Sequence, residues 1–155
     1  MTDGLARLVA DADVLAADLL VGGPAREAID IARAHSWVTL VASDPLLDDA
    51  EAVVESCADS TLAADWRERI ESLRERAEHP DGDHPALASA LSGDAVHVLS
   101  FDDRLRSAQA GATLRAHGDV SVKTPRGFVA LFDPAAMYEV AVGGEYPGPD
   151  RDPRA

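Results

Sequence analysis

In LVADADVLAADLL, Leu8 to Leu20, Asp11 and Asp13 stand one residue apart where an apolar segment stops, and Asp18 follows. Acids recur beside other apolar stretches: Asp48, Asp49 and Glu51 in SDPLLDDAE, Asp81 and Asp83 in HPDGDHP, Asp102 and Asp103 in LSFDDRL. A carboxylate at the edge of a core is costly unless it is paired, hydrogen-bonded or neutralised. Several confined together cannot all stay ionised without a cation. Oxygen donors with no His or Cys spacing for zinc favour Mg²⁺ or Mn²⁺. An ordinary reading stands beside this one, because acids also cap helices and favour their first turns. Ser43 is likewise a natural N-cap as well as a group able to orient a water or a phosphate, a role open to Ser100 too.

The elements that must position these groups follow from periodicity. Arg7 to Ala10 reads as a short buried strand, and WVTLVAS, Trp37 to Ser43, as a nearly all-apolar one of the kind found inside parallel sheets. VHVLS and VSVKT supply a third and a fourth strand. Between them, PAREAIDIARAH places Ala28, Ile29 and Ala32 on one helical face, and the segment after Ser43 carries Leu46, Leu47, Ala50, Val53 and Val54 as a stripe. In STLAADWRERIESLRERAEHP, Leu62, Trp66, Ile70, Leu73 and Ala77 predict one amphipathic helix through Ala77, broken by HPDGDHP. Its Arg67, Arg69, Arg74 and Arg76 read as a solvated face with i,i+4 ion pairs. A short helix is expected over 86–91, another over 102–116, and one from Arg126 to Phe132. Strands alternating with helices predict an α/β fold with a mainly parallel sheet of about four strands and helices on both faces. In such sheets ligands bind beyond the carboxyl ends of the strands, which is where Asp11 and Asp102 fall. Residues 1–142 are expected to form one domain and 143–155 a disordered tail.

Composition narrows the setting. Hydrophobic residues make up 46% of the 155, enough for a real core. The 28 acidic residues outnumber 14 basic ones, giving a net charge of −14, and Lys123 is the only lysine. Surplus aspartate with almost no lysine resembles the proteins of salt-accumulating halophilic archaea, where an acid coat maintains solubility. Such salt screens charges to within about 3 Å, so the negative sum does not argue against a nucleic-acid partner. No apolar run is long enough to span a membrane, and the first residues lack a signal-peptide pattern; a cytoplasmic protein is expected. Lone Cys57 reads as a small core residue, the five scattered histidines as core or surface groups, and Trp37 and Trp66 as packing residues.

The order and local contexts of these segments resemble the PIN-domain family of metal-dependent ribonucleases. LVADADVLAADLL resembles its opening strand, with Asp11 as the terminal acid and Asp13 at the next polar position. SDPLLDDAE is similar to a second motif with an acid six residues after a serine, which selects Asp49, although the family usually has glutamate there and Asp48 or Glu51 remain alternatives. DHPALASAL resembles a third, filled by Asp83. VHVLSFDDRL resembles the strand followed by Ser-x-Asp, which selects Asp102, with Asp103 beside it. TPRGFVALF is similar to the closing Pro-x-x-Phe helix. The resemblance covers about Leu8 to Phe132. It implies a PIN-like three-layer sandwich, Mg²⁺ or Mn²⁺ held by Asp11, Asp49, Asp83 and Asp102, and hydrolysis of an RNA phosphodiester by a metal-activated water. Lys123 and Arg126 would contact the RNA backbone. It also implies a homodimer and, for a toxin of a toxin–antitoxin pair, an antitoxin partner. Two alternatives stay open: a PIN-like module that has lost its chemistry and serves as a binding scaffold, and a haloacid-dehalogenase-type phosphatase with a nucleophilic Asp11 and an acid/base Asp13.

Overall fold

The computed structural model describes residues 6–78, 85–105 and 120–154. The chain begins with β1 (Arg7–Ala10), then α1 (Ala12–Leu20) and α2 (Gly23–Ala34). β2 (Thr39–Ala42) leads into α3 (Asp44–Cys57), α4 (Ser60–Leu73) and β3 (Arg74–Arg76). Then come α5 (Pro85–Ser92), β4 (His97–Leu99), β5 (Ser121–Lys123), α6 (Pro125–Leu131) and α7 (Pro134–Ala141).

The five strands form one sheet in the order β3-β2-β1-β4-β5. Every pairing is parallel, with Leu8 opposite Leu40 and His97, Leu40 opposite Arg74, and Leu99 opposite Lys123. Central strands of a parallel sheet are covered on both faces, which is why Leu8, Val9, Ala10, Leu40, Val41, Ala42, Val98 and Leu99 run without polar interruption and are all buried. Successive connections move outward from β1 to β2 to β3 and then return to β4. Right-handed crossovers in opposite directions put their helices on opposite faces. Accordingly α1 packs against α2 and α3, and α2 against α6, while α5 packs across β1, β2 and β4. Each fully buried Leu, Ile or Phe of the intervening layers, such as Leu15, Ile29, Leu47 and Phe128, contributes about 1.5–3 kcal/mol by leaving water.

The fifth strand corrects the sequence reading. The helix expected through Ala77 ends at Leu73, and Arg74–Arg76 pairs with β2 as an edge strand. Arg and Glu are good helix formers, but propensity is a weak force beside tertiary pairing, which overrides it here. Arg74 donates to Ala42 O at 2.9 Å and to Asp44 Oδ1 at 2.6 Å and also meets Glu71; its side chain is 6% exposed rather than solvated. Hydrogen bonds from Arg74 and then Arg76 hold the Asp44 carboxyl below its ordinary range. Gly93, after α5, is required by close approach. A Cβ there would sit 2.3 Å from Val41 Cγ1 and 2.9 Å from Ser89 O.

Two further expectations are overturned. Cys57 is exposed, because it closes α3 beyond the stripe of Leu46, Leu47, Ala50 and Val54 that enters the core. The tail after residue 143 is docked along the end of α2. The amides of Asp150 and Arg151 donate to Ala34 O, Arg151 Nη2 donates to Ala32 O and His35 O, and Asp150 accepts from the Ser36 amide. Tyr146 bonds His35, and Arg154 pairs with Asp30. Low hydrophobicity argued for disorder, but this segment is held by polar contacts to the free carbonyls of a helix terminus, which composition does not register. The expected helix over 102–116 lies mostly outside the described residues.

Candidate functional site

β1 and β4 are neighbours, and the chain leaves their carboxyl ends in opposite directions, toward β2 and toward β5. This is the topological switch point of a doubly wound sheet, the crevice where ligands bind. The residues at that point are Asp11 after β1 and Ser100 to Asp102 after β4. The Asp11 amide donates to Leu99 O at 2.8 Å, and the Ser100 amide donates to Lys123 O at 3.1 Å, extending the ladder to the rim.

Asp11 is the N-cap of α1 and is 8% exposed. Its Oδ1 accepts from the Ala12 amide at 2.8 Å and its Oδ2 from the Ser100 hydroxyl at 2.8 Å. The same Ser100 oxygen accepts the Asp102 amide at 3.0 Å. One buried hydroxyl thereby fixes both the carboxylate of β1 and the backbone that carries Asp102. The Asp102 side chain is 30% exposed, with Oδ1 accepting from the Arg104 amide at 2.9 Å. Asp13 lies between these groups. Its Oδ2 accepts from the Phe101 amide at 3.2 Å, while its Oδ1 is buried with no hydrogen-bond partner among the described residues. Burial, then the charge of Asp11 and more weakly that of Asp102, push its carboxyl upward against the pull of the Phe101 and Val14 amides.

The other candidates are placed differently. Ser43 is fully buried as the N-cap of α3; its hydroxyl accepts from the Leu46 amide at 3.4 Å and meets Ser89 Oγ at 2.9 Å. Ser89 also accepts the Ser43 amide and donates to Pro85 O, so the hydroxyls are committed to joining α3 to α5. Asp48 and Glu51 both accept from Arg67 Nη1, at 2.8 and 3.1 Å, and knit α3 to α4. Asp49 is exposed on α3, whereas the carboxylates that press on Asp13 are Asp11 and Asp102. Asp103 is exposed beside Asp102. Lys123 does not reach outward from the strand end. Its Nζ bonds His97 Nδ1 at 2.9 Å and Ser121 Oγ at 2.7 Å, back along the sheet, and burial lowers its pKa. Arg126 is exposed in the first turn of α6, on the rim shared with Ser100. Asp83 lies outside the described residues. Asp18, the third acid of the opening stretch, is 2% exposed and takes both terminal nitrogens of Arg33, Nη1 at 2.7 Å, tying α1 to α2.

Sequence reasoning did not single out Phe101 and Arg104, which flank Asp102 at the rim; the signal was their position on either side of the aspartate that ends the strand. A cleft of about 1140 Å³ between α2, α4 and the tail is a separate feature, and Asp11, Asp13 and Asp102 do not line it.

Fold and rim together define a doubly wound α/β domain with a carboxylate group at its switch point. The chain belongs to a family of unknown function (DUF7384), whose model matches residues 2–154. No curated protein and no solved structure matches it. Among the described residues no helix is long and apolar enough to cross a membrane.

Proposed function

We propose that the chain is a PIN-like, Mg²⁺- or Mn²⁺-dependent ribonuclease. The observation that carries this reading is the Asp11–Ser100–Asp102 unit at the switch point, with the buried Oδ1 of Asp13 beside it, unpartnered among the described residues. Oxygen-only donors of this kind suit a hard cation. Among the described residues no three acidic, His or Cys side chains form a metal-holding group by themselves. Asp83, outside those residues, and oxygens from substrate or water would complete the set, with Asp49 a weaker contributor from its exposed place on α3.

In this reading Asp11 and Asp102 hold the ion and Asp13 supports it from α1. Bound there, the ion would acidify a water and stabilise charge on the phosphoryl oxygens. Ser100 is a positioning residue, since its hydroxyl orients Asp11 and its oxygen anchors the Asp102 amide. The chain would act on RNA as a toxin or a housekeeping nuclease, and a homodimer or an antitoxin partner belongs to the same proposal.

The test is calorimetric titration with Mn²⁺ in high-salt buffer, followed by an RNA cleavage assay, comparing the native chain with Asp11→Asn plus Asp102→Asn. Asn caps a helix as well as Asp does, so the double variant keeps its fold. Saturable binding and cleavage that both vanish in the variant support the reading. Absent binding in a folded native chain rejects it in favour of a metal-free binding module.

A further inference from the structure

The chain has three Phe, two Trp and two Tyr, and nearly all of them are used in packing. Phe128, Phe132 and Trp66 are buried in the core. Trp37 lies against Phe132 and Tyr138, and Tyr146 against Tyr138 and His35. Phe101 is the exception. It is 46% exposed and has no ring neighbour among the described residues. A chain this poor in aromatic residues leaves one uncovered at the switch point, between Ser100 and Asp102, with its amide pinned by Asp13. Among the described residues the cations nearby in sequence and on the rim are Arg104, whose side chain is 92% exposed and whose Nε lies 3.4 Å from Asp102 Oδ1, and Arg126, exposed in the first turn of α6.

We propose that Phe101 is a stacking platform for one base of a single-stranded RNA, with Arg104 and Arg126 receiving backbone phosphates on either side. The inference rests on the nuclease reading and names its substrate class. A base inside a duplex is already stacked on its neighbours, and A-form helices expose backbone and 2′-hydroxyls rather than base faces, so only an unpaired base meets an exposed ring. Every base has a π-face, which makes the contact tolerant of sequence. Stacking also suits this chain's charge. Strong salt suppresses phosphate contacts, whereas a stacked base keeps its hold.

The experiment measures cleavage of one RNA sequence as a single strand and as a duplex, in Mn²⁺, with the native chain, Phe101→Ala and Phe101→Trp. Anisotropy with a labelled single strand is followed in parallel, and melting curves confirm folding. Phe101→Ala should raise the single-strand KM and Kd about 5- to 150-fold, the range of one base–aromatic stack, with a smaller change in kcat. Phe101→Trp should restore both. Unchanged KM and Kd in Phe101→Ala overturn the proposal, as they would if Phe101 instead served a protein partner, and so does duplex cleavage as efficient as single-strand cleavage. These outcomes leave the nuclease reading standing. If the native chain cleaves nothing, that reading fails by itself, and anisotropy then decides: single-strand binding that depends on Phe101 supports the platform, and its absence rejects it.

Discussion

The Ser100 hydroxyl donates to Asp11 Oδ2 at 2.8 Å across a sequence separation of 89 residues, while its oxygen accepts the Asp102 amide at 3.0 Å. This side chain links the carboxyl ends of two strands that the chain visits far apart, beside the Asp11 amide to Leu99 O and the Phe101 amide to Asp13. Ser100→Ala leaves a buried carboxylate oxygen without its donor, which costs about 1–3 kcal/mol. In a domain of this size that is a Tm lowered by roughly 2–4 °C per kcal/mol. Mn²⁺ affinity should fall as well, because Asp11 loses its orientation. Calorimetry on Ser100→Ala and Ser100→Thr separates the two effects, with Thr expected to recover binding; equal Mn²⁺ affinity in all three proteins would contradict the positioning role.

Asp13 gives a pH signature. Its carboxyl is raised by burial and by Asp11, so the native state binds its proton more tightly than the unfolded chain does. Stability from this group is therefore full below the unfolded carboxylate value and is lost as pH rises through the folded one. Asp13→Asn removes that loss. The variant should match the native chain in acid and exceed it in Tm at neutral pH, and added Mn²⁺ should reverse the order by stabilising the native chain more. Melting curves across pH with and without Mn²⁺ read both effects; a variant less stable at every pH would show that Asp13 serves only as a first-turn acid holding the Phe101 amide.

Asp18 and Arg33 tie α1 to α2 from inside the core. Asp18→Ala strands a guanidinium that is 21% exposed, with Asp30 as its remaining carboxylate. Breaking a buried pair costs about 3–5 kcal/mol, and the retained partner places this one near the lower end. Denaturant unfolding should show the loss, and Asp18→Ala with Arg33→Met should be milder than the single change.

Gly93 faces Val41 and the Ser89 carbonyl where no Cβ fits. Gly93→Ala should lower stability by about 1–3 kcal/mol through overpacking, and Gly93→Ala combined with Val41→Ala should recover part of it. Thermal melts of the single and double variants measure the coupling.

Much of the scaffold was legible because it obeys local rules. β1 is apolar without interruption because both of its faces are covered, and Ser43 reads as a cap because an apolar stripe begins three residues later at Leu46. Arg74–Arg76 was illegible for the opposite reason. Its residues favour a helix, and distant partners make it a strand: the β2 ladder, the Asp44 carboxylate that takes Arg74 and Arg76, and Arg7 of β1, which pairs with Glu75. The tail was illegible as well, since EYPGPDRDPRA has no apolar run to bury, and its anchors are polar: backbone carbonyls at the end of α2 together with His35, Ser36 and Asp30.

The acids divide along the same line. Periodicity by itself puts Asp11 and Asp102 at strand ends, because apolar runs stop there and parallel strands share a polarity. Which acids meet is a matter of strand order. Pairing β1 with β4 sets Asp11, Ser100 and Asp102 together, while the packing of α3 on α4 commits Asp48 and Glu51 to Arg67. Lys123 shows the limit most plainly. Its place at the end of β5 follows from the sequence, but its direction, back toward His97, is set by a neighbouring strand that the chain reached some twenty-six residues earlier. Local chemistry fixes what each residue can be. Long-range pairing decides what it touches, since those contacts depend on chain closure that no short window of sequence contains.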